Sequence, residues 1–199
     1  MTYHSETLAA LIGSRICHDL ISPIGAVNNG LELLALSQDR DGPEMALVTD
    51  SANSANARIC LFRLAFGLAT PDQVSRADDL TAIWRGVYPD GRFTLDWQGP
   101  ATLPRREARL LALACLCVEA ALPQGGKLRI LRSGESWHVR GTGPCLALDE
   151  PLWRILSSFH AETTVAPAHV QFLLLSGHLH EMGRLCRYER GDNHIGLSF

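Results

Sequence analysis

Along the N-terminal part of the chain, Leu8, Ile12, Ile16, Leu20, Ile24, Val27, Leu31 and Leu34 recur every three or four positions. That spacing keeps them on one stripe of a helix and predicts a first helix from about Ser5 to Leu36. Ser5 stands at the N-cap and Glu6 in the first turn, where the helix dipole favours an acid. Pro23 falls inside the pattern and removes one helical hydrogen bond. The apolar repeat continues past it, so a kink rather than a stop is expected. Gln38-Asp39-Arg40-Asp41-Gly42 predicts a polar turn, and Pro43 suits the first position of the next helix. The second helix is expected from Pro43 to about Ala69, ending at Thr70-Pro71-Asp72. Its first half is rich in Ala and Ser (Ala46, Ser51, Ala52, Ser54, Ala55, Ala57), which allows close helix approach; its second half carries Ile59, Phe62, Leu64 and Phe66. So short a connection makes the helices antiparallel neighbours. Two helices cannot cover all this apolar surface, so pairing of two hairpins into a four-helix bundle, a homodimer, is expected.

Beyond Pro71 the pattern mixes helical and alternating segments. Asp78 or Asp79 is placed to cap a short helix through Leu80, Ile83, Trp84 and Val87, which stops before Pro89-Asp90-Gly91. Arg92 to Trp97 alternates as a strand does. Pro104 opens a helix to about Leu122 that is apolar around much of its circumference, the mark of a buried helix. Lys127–Arg132 and Ser136–Arg140 flank Ser133-Gly134-Glu135, a hairpin signal. Helices are expected at Glu150–Phe159 and Pro167–Met182, and a last hairpin from Leu185–Arg190 and His194–Phe199 around Gly191-Asp192-Asn193. The sum is an α+β protein: a helical hairpin over residues 1–71 and an α/β sandwich over 72–199, one sheet under a layer of helices.

Composition narrows the function. The 199 residues carry a net charge of −3, and Lys127 is the only lysine among scattered arginines, which gives no basic footprint for nucleic acid. No run of 18 apolar residues exists, and the first residues, with Glu6 and no basic start, do not read as a signal peptide. A cytoplasmic protein away from membranes is the expectation. Cysteines 17, 60, 115, 117, 145 and 186 form no C-x-x-C pair and read as buried thiols. His178 and His180 diverge on a helix and gather no third ligand, so no metal is expected. Trp84, Trp97, Trp137 and Trp153, without a basic patch, read as core or interface.

Candidate chemistry concentrates in Arg15-Ile16-Cys17-His18-Asp19-Leu20-Ile21-Ser22-Pro23-Ile24-Gly25. At about 100° per residue the apolar stripe is centred almost opposite His18, so the imidazole is predicted to point outward. Its own-face neighbours are Ser14, Ser22 and Gly25, small enough for another protein to approach closely. His18-Asp19-Leu20, with Pro23 five places after the histidine, resembles the H-box of two-component histidine kinases. There the histidine carries a phosphoryl group on a dimerising helical hairpin. Over nearly its full length the chain looks like the ChpT-type histidine phosphotransferases of alphaproteobacteria, which pair such a hairpin with a degenerate relative of the kinase ATP-binding domain.

The resemblance implies residue roles and departures from the kinase pattern. Where kinases place an asparagine for magnesium and phosphates, this chain has Glu119-Ala120. Where they have Asp-x-Gly-x-Gly for adenine, it reads Gly141-Thr142-Gly143-Pro144, without the aspartate. The glycine-rich phosphate loop is replaced by Val165-Ala166-Pro167-Ala168-His169-Val170, which offers no cradle of backbone amides. These departures argue against ATP binding and autokinase activity. The implied role of His18 is to take a phosphoryl group from a receiver-domain aspartate of a hybrid kinase and pass it to that of a response regulator. No cofactor is expected in this chain, the receiver bringing Mg²⁺ and a lysine. Asp19 resembles the acid that orients or deprotonates the imidazole, although adjacent helical side chains diverge. Ser22 occupies the position where sensor kinases carry Thr or Asn, linked there to dephosphorylation; its role is left open. Arg15, one turn before His18, is expected to steady the phosphoryl oxygens. Leu11, Ile21 and Gly25, flanking the histidine, are expected receiver contacts. The alternatives are an ATP-dependent sensor kinase core and a non-catalytic dimeric adaptor for receiver domains.

Overall fold

The computed structural model describes residues 5–36, 42–158 and 164–199. The turn predicted over Gln38 to Asp41, and Phe159, lie outside these residues. Two antiparallel helices, α1 (Ser5–Leu36) and α2 (Pro43–Ala65), form the hairpin. Helix α1 passes through Pro23 without a break. The helices come close at Gly30, which is buried: a Cβ there would stand 2.5 Å from Val48 Cγ2.

The apolar stripe does not face α2 along its whole length, as expected from the spacing. Ile24 is 47% exposed and Leu31 is 51% exposed, while Asp19, Pro23 and Ala26 share the half-buried side of α1 that leads to Gly30. Small and polar residues let the two backbones approach, and the larger aliphatic side chains are pushed to the flank. Near its N-terminus the stripe turns to a different task. Leu8, Leu11 and Ile12 pack on the core of the C-terminal region.

Helix α2 stops at Ala65, short of the predicted Ala69. The chain turns in so tightly at Gly67 that a Cβ would stand 2.3 Å from the Arg63 carbonyl oxygen. Arg105 donates to the Arg63 carbonyl at 3.2 Å and Arg109 to that of Gly67 at 3.4 Å, supplying partners that a helix end lacks. Leu61, Leu64 and Ala65 join the same core as the sandwich, so the hairpin base and the C-terminal region share one interior.

Next come β1 (Val74–Arg76), α3 (Ala77–Val87), β2 (Phe93–Gln98), β3 (Thr102–Pro104) and α4 (Arg105–Ala120). The short antiparallel pair β1–β3, centred on Ser75 opposite Leu103, is absent from the sequence reading because three residues carry no measurable alternation. Two boundaries also shift. Helix α3 begins at Ala77, so Asp78 and Asp79 lie in its first turn rather than capping it, with Asp78 paired to Arg76 at 3.2 Å. Pro104 ends β3 and precedes α4 instead of opening it. Helix α4 is buried continuously from Leu110 to Val118, as its composition required.

The chain continues through β4 (Gly126–Ser133), β5 (Ser136–Thr142), α5 (Glu150–Ser158), a 3₁₀ turn (Pro167–His169), α6 (Val170–Glu181), β6 (Arg187–Arg190) and β7 (His194–Ser198). The helix predicted from Pro167 therefore begins with a 3₁₀ turn. The five-stranded sheet runs β2-β4-β5-β7-β6, parallel only between β2 and β4. Gly134, with φ of 58°, makes the β4–β5 turn. Leu128, Ile130, Trp137, Val139, Ile195 and Leu197 are the buried face of the sheet.

Buried Glu107 pins α4 to that sheet. It accepts from the Trp137 indole at 2.7 Å and from Arg184 at 2.9 Å, and Arg132 lies over the Trp137 ring at 4.9 Å. Trp84 and Trp153 are also buried and Trp97 packs on the core, in agreement with their predicted place. Of the cysteines, Cys115, Cys117 and Cys186 are buried, but Cys60 and Cys145 are half-buried and Cys17 is exposed, contrary to expectation, because Cys17 shares the outward side of α1 with His18. Among the described residues no helix is long and apolar enough to cross a membrane.

Candidate phosphotransfer site

His18 projects from the middle of α1, and its side chain is 81% exposed, as the helical spacing predicts. Ser14 and Ser22 beside it are exposed, and a Cβ added at Gly25 would meet nothing within 4 Å. Ile21, one turn on, is 70% exposed. A visiting surface has open access.

Asp19 is the opposite case, with a side chain only 10% exposed. One carboxylate oxygen stands 3.1 Å from His18 Nδ1; the other accepts from Arg15 Nε at 2.9 Å. Adjacent helical side chains are expected to diverge, yet these two meet at 3.1 Å. A carboxylate at neutral pH only accepts hydrogen bonds, so this contact requires the proton on Nδ1 and leaves the lone pair on Nε2.

Two expected ligand contacts are placed elsewhere. Arg15 does not reach toward the histidine: its Nε and Nη2 serve Asp19, and Nη1 donates to the carbonyl of Ala168, just before α6. Its Nη1 ties α1 to the C-terminal region, where the 3₁₀ turn presents a carbonyl that needs a partner. Leu11 is half-buried on the shared core and is not a free docking contact.

An open groove of about 470 Å³ runs beside the histidine. His18, Asp19, Ser22, Pro23 and Ala26 line it from α1; Asp50, Ser51, Ser54 and Arg58 line it from α2. Arg58, whose Nη1 is 3.9 Å from Asp19, is missing from the sequence reading. A signal existed. Asp19 and Arg58 stand almost equally far from the predicted turn, so antiparallel pairing sets opposite charges side by side.

The residue in the kinase asparagine position, Glu119, lies on α4 at the junction with the hairpin. Burial pushes its carboxyl up, against a hydrogen bond with Tyr88 and the nearby charges of Arg15 and Arg58, which favour the ionised form. Tyr88 is pushed up in turn, by burial first and by Glu119 second. At Gly141 a Cβ would stand 2.3 Å from Val118 Cγ1 and 2.8 Å from Leu122 Cδ1, so this glycine lets α4 pack on β5.

A solvent-facing histidine held by an adjacent carboxylate, on a helical hairpin set against a sandwich, defines a histidine phosphotransfer class of protein. Comparison with known proteins agrees. The family described as histidine phosphotransferase C-terminal domain matches residues 77–194. Protein phosphotransferase ChpT of Brucella abortus (strain 2308) is 40% identical over 146 residues, covering 70% of this chain and 68% of that protein. A bacterial phosphotransferase solved at 1.7 Å is 30% identical, with a TM-score of 0.83 over 100% of this chain and 98% of the other. The chain belongs to the histidine phosphotransferase family and functions in phosphorelay.

Proposed function

We propose that His18 carries the phosphoryl group, taking it from the aspartyl phosphate of one receiver domain and giving it to the aspartate of another. The observation that carries this reading is the exposed imidazole whose Nδ1 is 3.1 Å from Asp19. The Nε2 lone pair attacks phosphorus, the Nε2–P bond forms, and the receiver's carboxylate leaves with the electrons of the broken P–O bond. The ring becomes a phosphoimidazolium, its Nδ1–H facing the Asp19 carboxylate, which stabilises the charge as it develops. Transfer onward reverses these steps at a second carboxylate. Positioning and charge stabilisation do most of the work in such transfers, and the receiver is proposed to bring Mg²⁺. Exposed Ile21, Ser14 and Ser22, with half-buried Gly25, form the docking surface around the histidine in this reading.

A homodimer completes the proposal. Ile24 and Leu31, left exposed on α1, are the apolar side chains that a second hairpin would cover. The testing experiment supplies a phosphorylated receiver domain to wild-type and His18→Ala protein and follows the label. Transfer to wild type alone is expected. Label left on the receiver in both cases removes His18 from the relay, and self-labelling from ATP alone would point to a kinase.

A further inference from the structure

Two arginines approach Asp19, and they differ in what they have left to offer. Arg15 is anchored at all three nitrogens: Nε and Nη2 are on Asp19, and Nη1 is on the Ala168 carbonyl. Arg58 reaches Asp19 only to 3.9 Å, beyond hydrogen-bond range. No other acceptor engages it among the described residues. Its side chain is 28% exposed, and it lines the same groove as His18.

We infer that Arg58, across the groove on α2, is the cation that binds the phosphoryl oxygens once His18 is phosphorylated. This inference rests on the proposed role of His18. A guanidinium with unspent donors beside a carboxylate that it does not fully engage is ready to take a dianion in a planar, two-pronged contact. Ser51 and Ser54, small groove residues on the same helix, leave room for the group to lie between α1 and α2. Other charges face Arg58: Asp19 and Arg15 from α1, Asp50 from its own helix, and Glu119 from α4. The incoming phosphoryl group therefore meets an arginine that Asp19 does not engage in a direct hydrogen bond. Loading His18 therefore needs no rearrangement of the Arg15–Asp19 clamp.

Phosphoramidate, a small phosphoryl donor, tests this without any receiver. The reaction forms the Nε2–P bond and releases ammonia. Wild type, Arg58→Gln, Arg58→Lys and His18→Ala are labelled in parallel, and the ³¹P resonance of the loaded protein is followed against pH. Arg58→Gln is expected to label about 100-fold more slowly, the low end for losing one transition-state donor. The phosphoryl titration midpoint in that variant should rise by about half a pH unit, since a neighbouring cation favours the dianion. Arg58→Lys should restore most of the midpoint. A midpoint unchanged in Arg58→Gln overturns the inference even if labelling is slow, because a guanidinium bonded to the phosphoryl oxygens must favour their dianion. Wild type and His18→Ala labelling alike would instead overturn the histidine assignment.

Discussion

Asp19 divides its carboxylate between two neighbours: Oδ1 is 3.1 Å from His18 Nδ1, and Oδ2 accepts from Arg15 at 2.9 Å. The acid therefore serves the histidine from behind, at the nitrogen that does not react. Asp19→Asn keeps an oxygen for Nδ1–H but loses the charge that balances a phosphoimidazolium. Transfer from a phosphorylated receiver should slow by about 100-fold, the low end of a positioned acid–base group.

His18→Ala should abolish transfer while leaving the fold intact. An 81% exposed side chain contributes little to packing. A stability change within about 0.5 kcal/mol, measured by urea unfolding, is expected.

Leu31→Glu tests assembly. Leu31 is half-exposed on the flank of α1, away from Gly30 and Val48. In the proposed four-helix bundle it would bury a charge at the seam. Sedimentation at micromolar concentration should show wild-type dimers and Leu31→Glu monomers; dimers in both would place the contact elsewhere.

Glu107→Ala should be the most damaging single change in the sandwich. It strands the Arg184 guanidinium and the buried Trp137 indole N–H together. Losing one partner of a largely buried pair costs about 3–5 kcal/mol. Glu107→Gln, which still accepts from Trp137, should cost less in the same urea titration.

Stability should also fall in mild acid. Burial holds the His169 imidazole below its ordinary value, with Asp149 opposing and Arg15 reinforcing the shift, and burial likewise lowers His178. The unfolded chain then takes up protons before the folded one does. Stability is full above the usual histidine range, near pH 6.5, and declines as pH drops toward the depressed folded values. Melting temperatures between pH 7 and 5 should show this decline, and His169→Gln should flatten it.

The helix periods, the polar breaks and the outward placement of His18 were all legible in the sequence, because 3.6-residue geometry alone decides which side chains share a face. So was the buried character of α4, since no polar stripe is available along it for water. The short β1–β3 pair was not legible, because its register is set by chain segments far apart in sequence. Nor was the division of labour between two arginines. Arg15 lies one turn from His18, where spacing alone makes it a phosphate ligand; only the arrival of the Ala168 carbonyl, 153 residues away, anchors it toward the C-terminal region instead. Local spacing fixes direction along a helix, whereas the partner that satisfies a long, flexible cation is chosen by whatever the folded chain brings within hydrogen-bond reach.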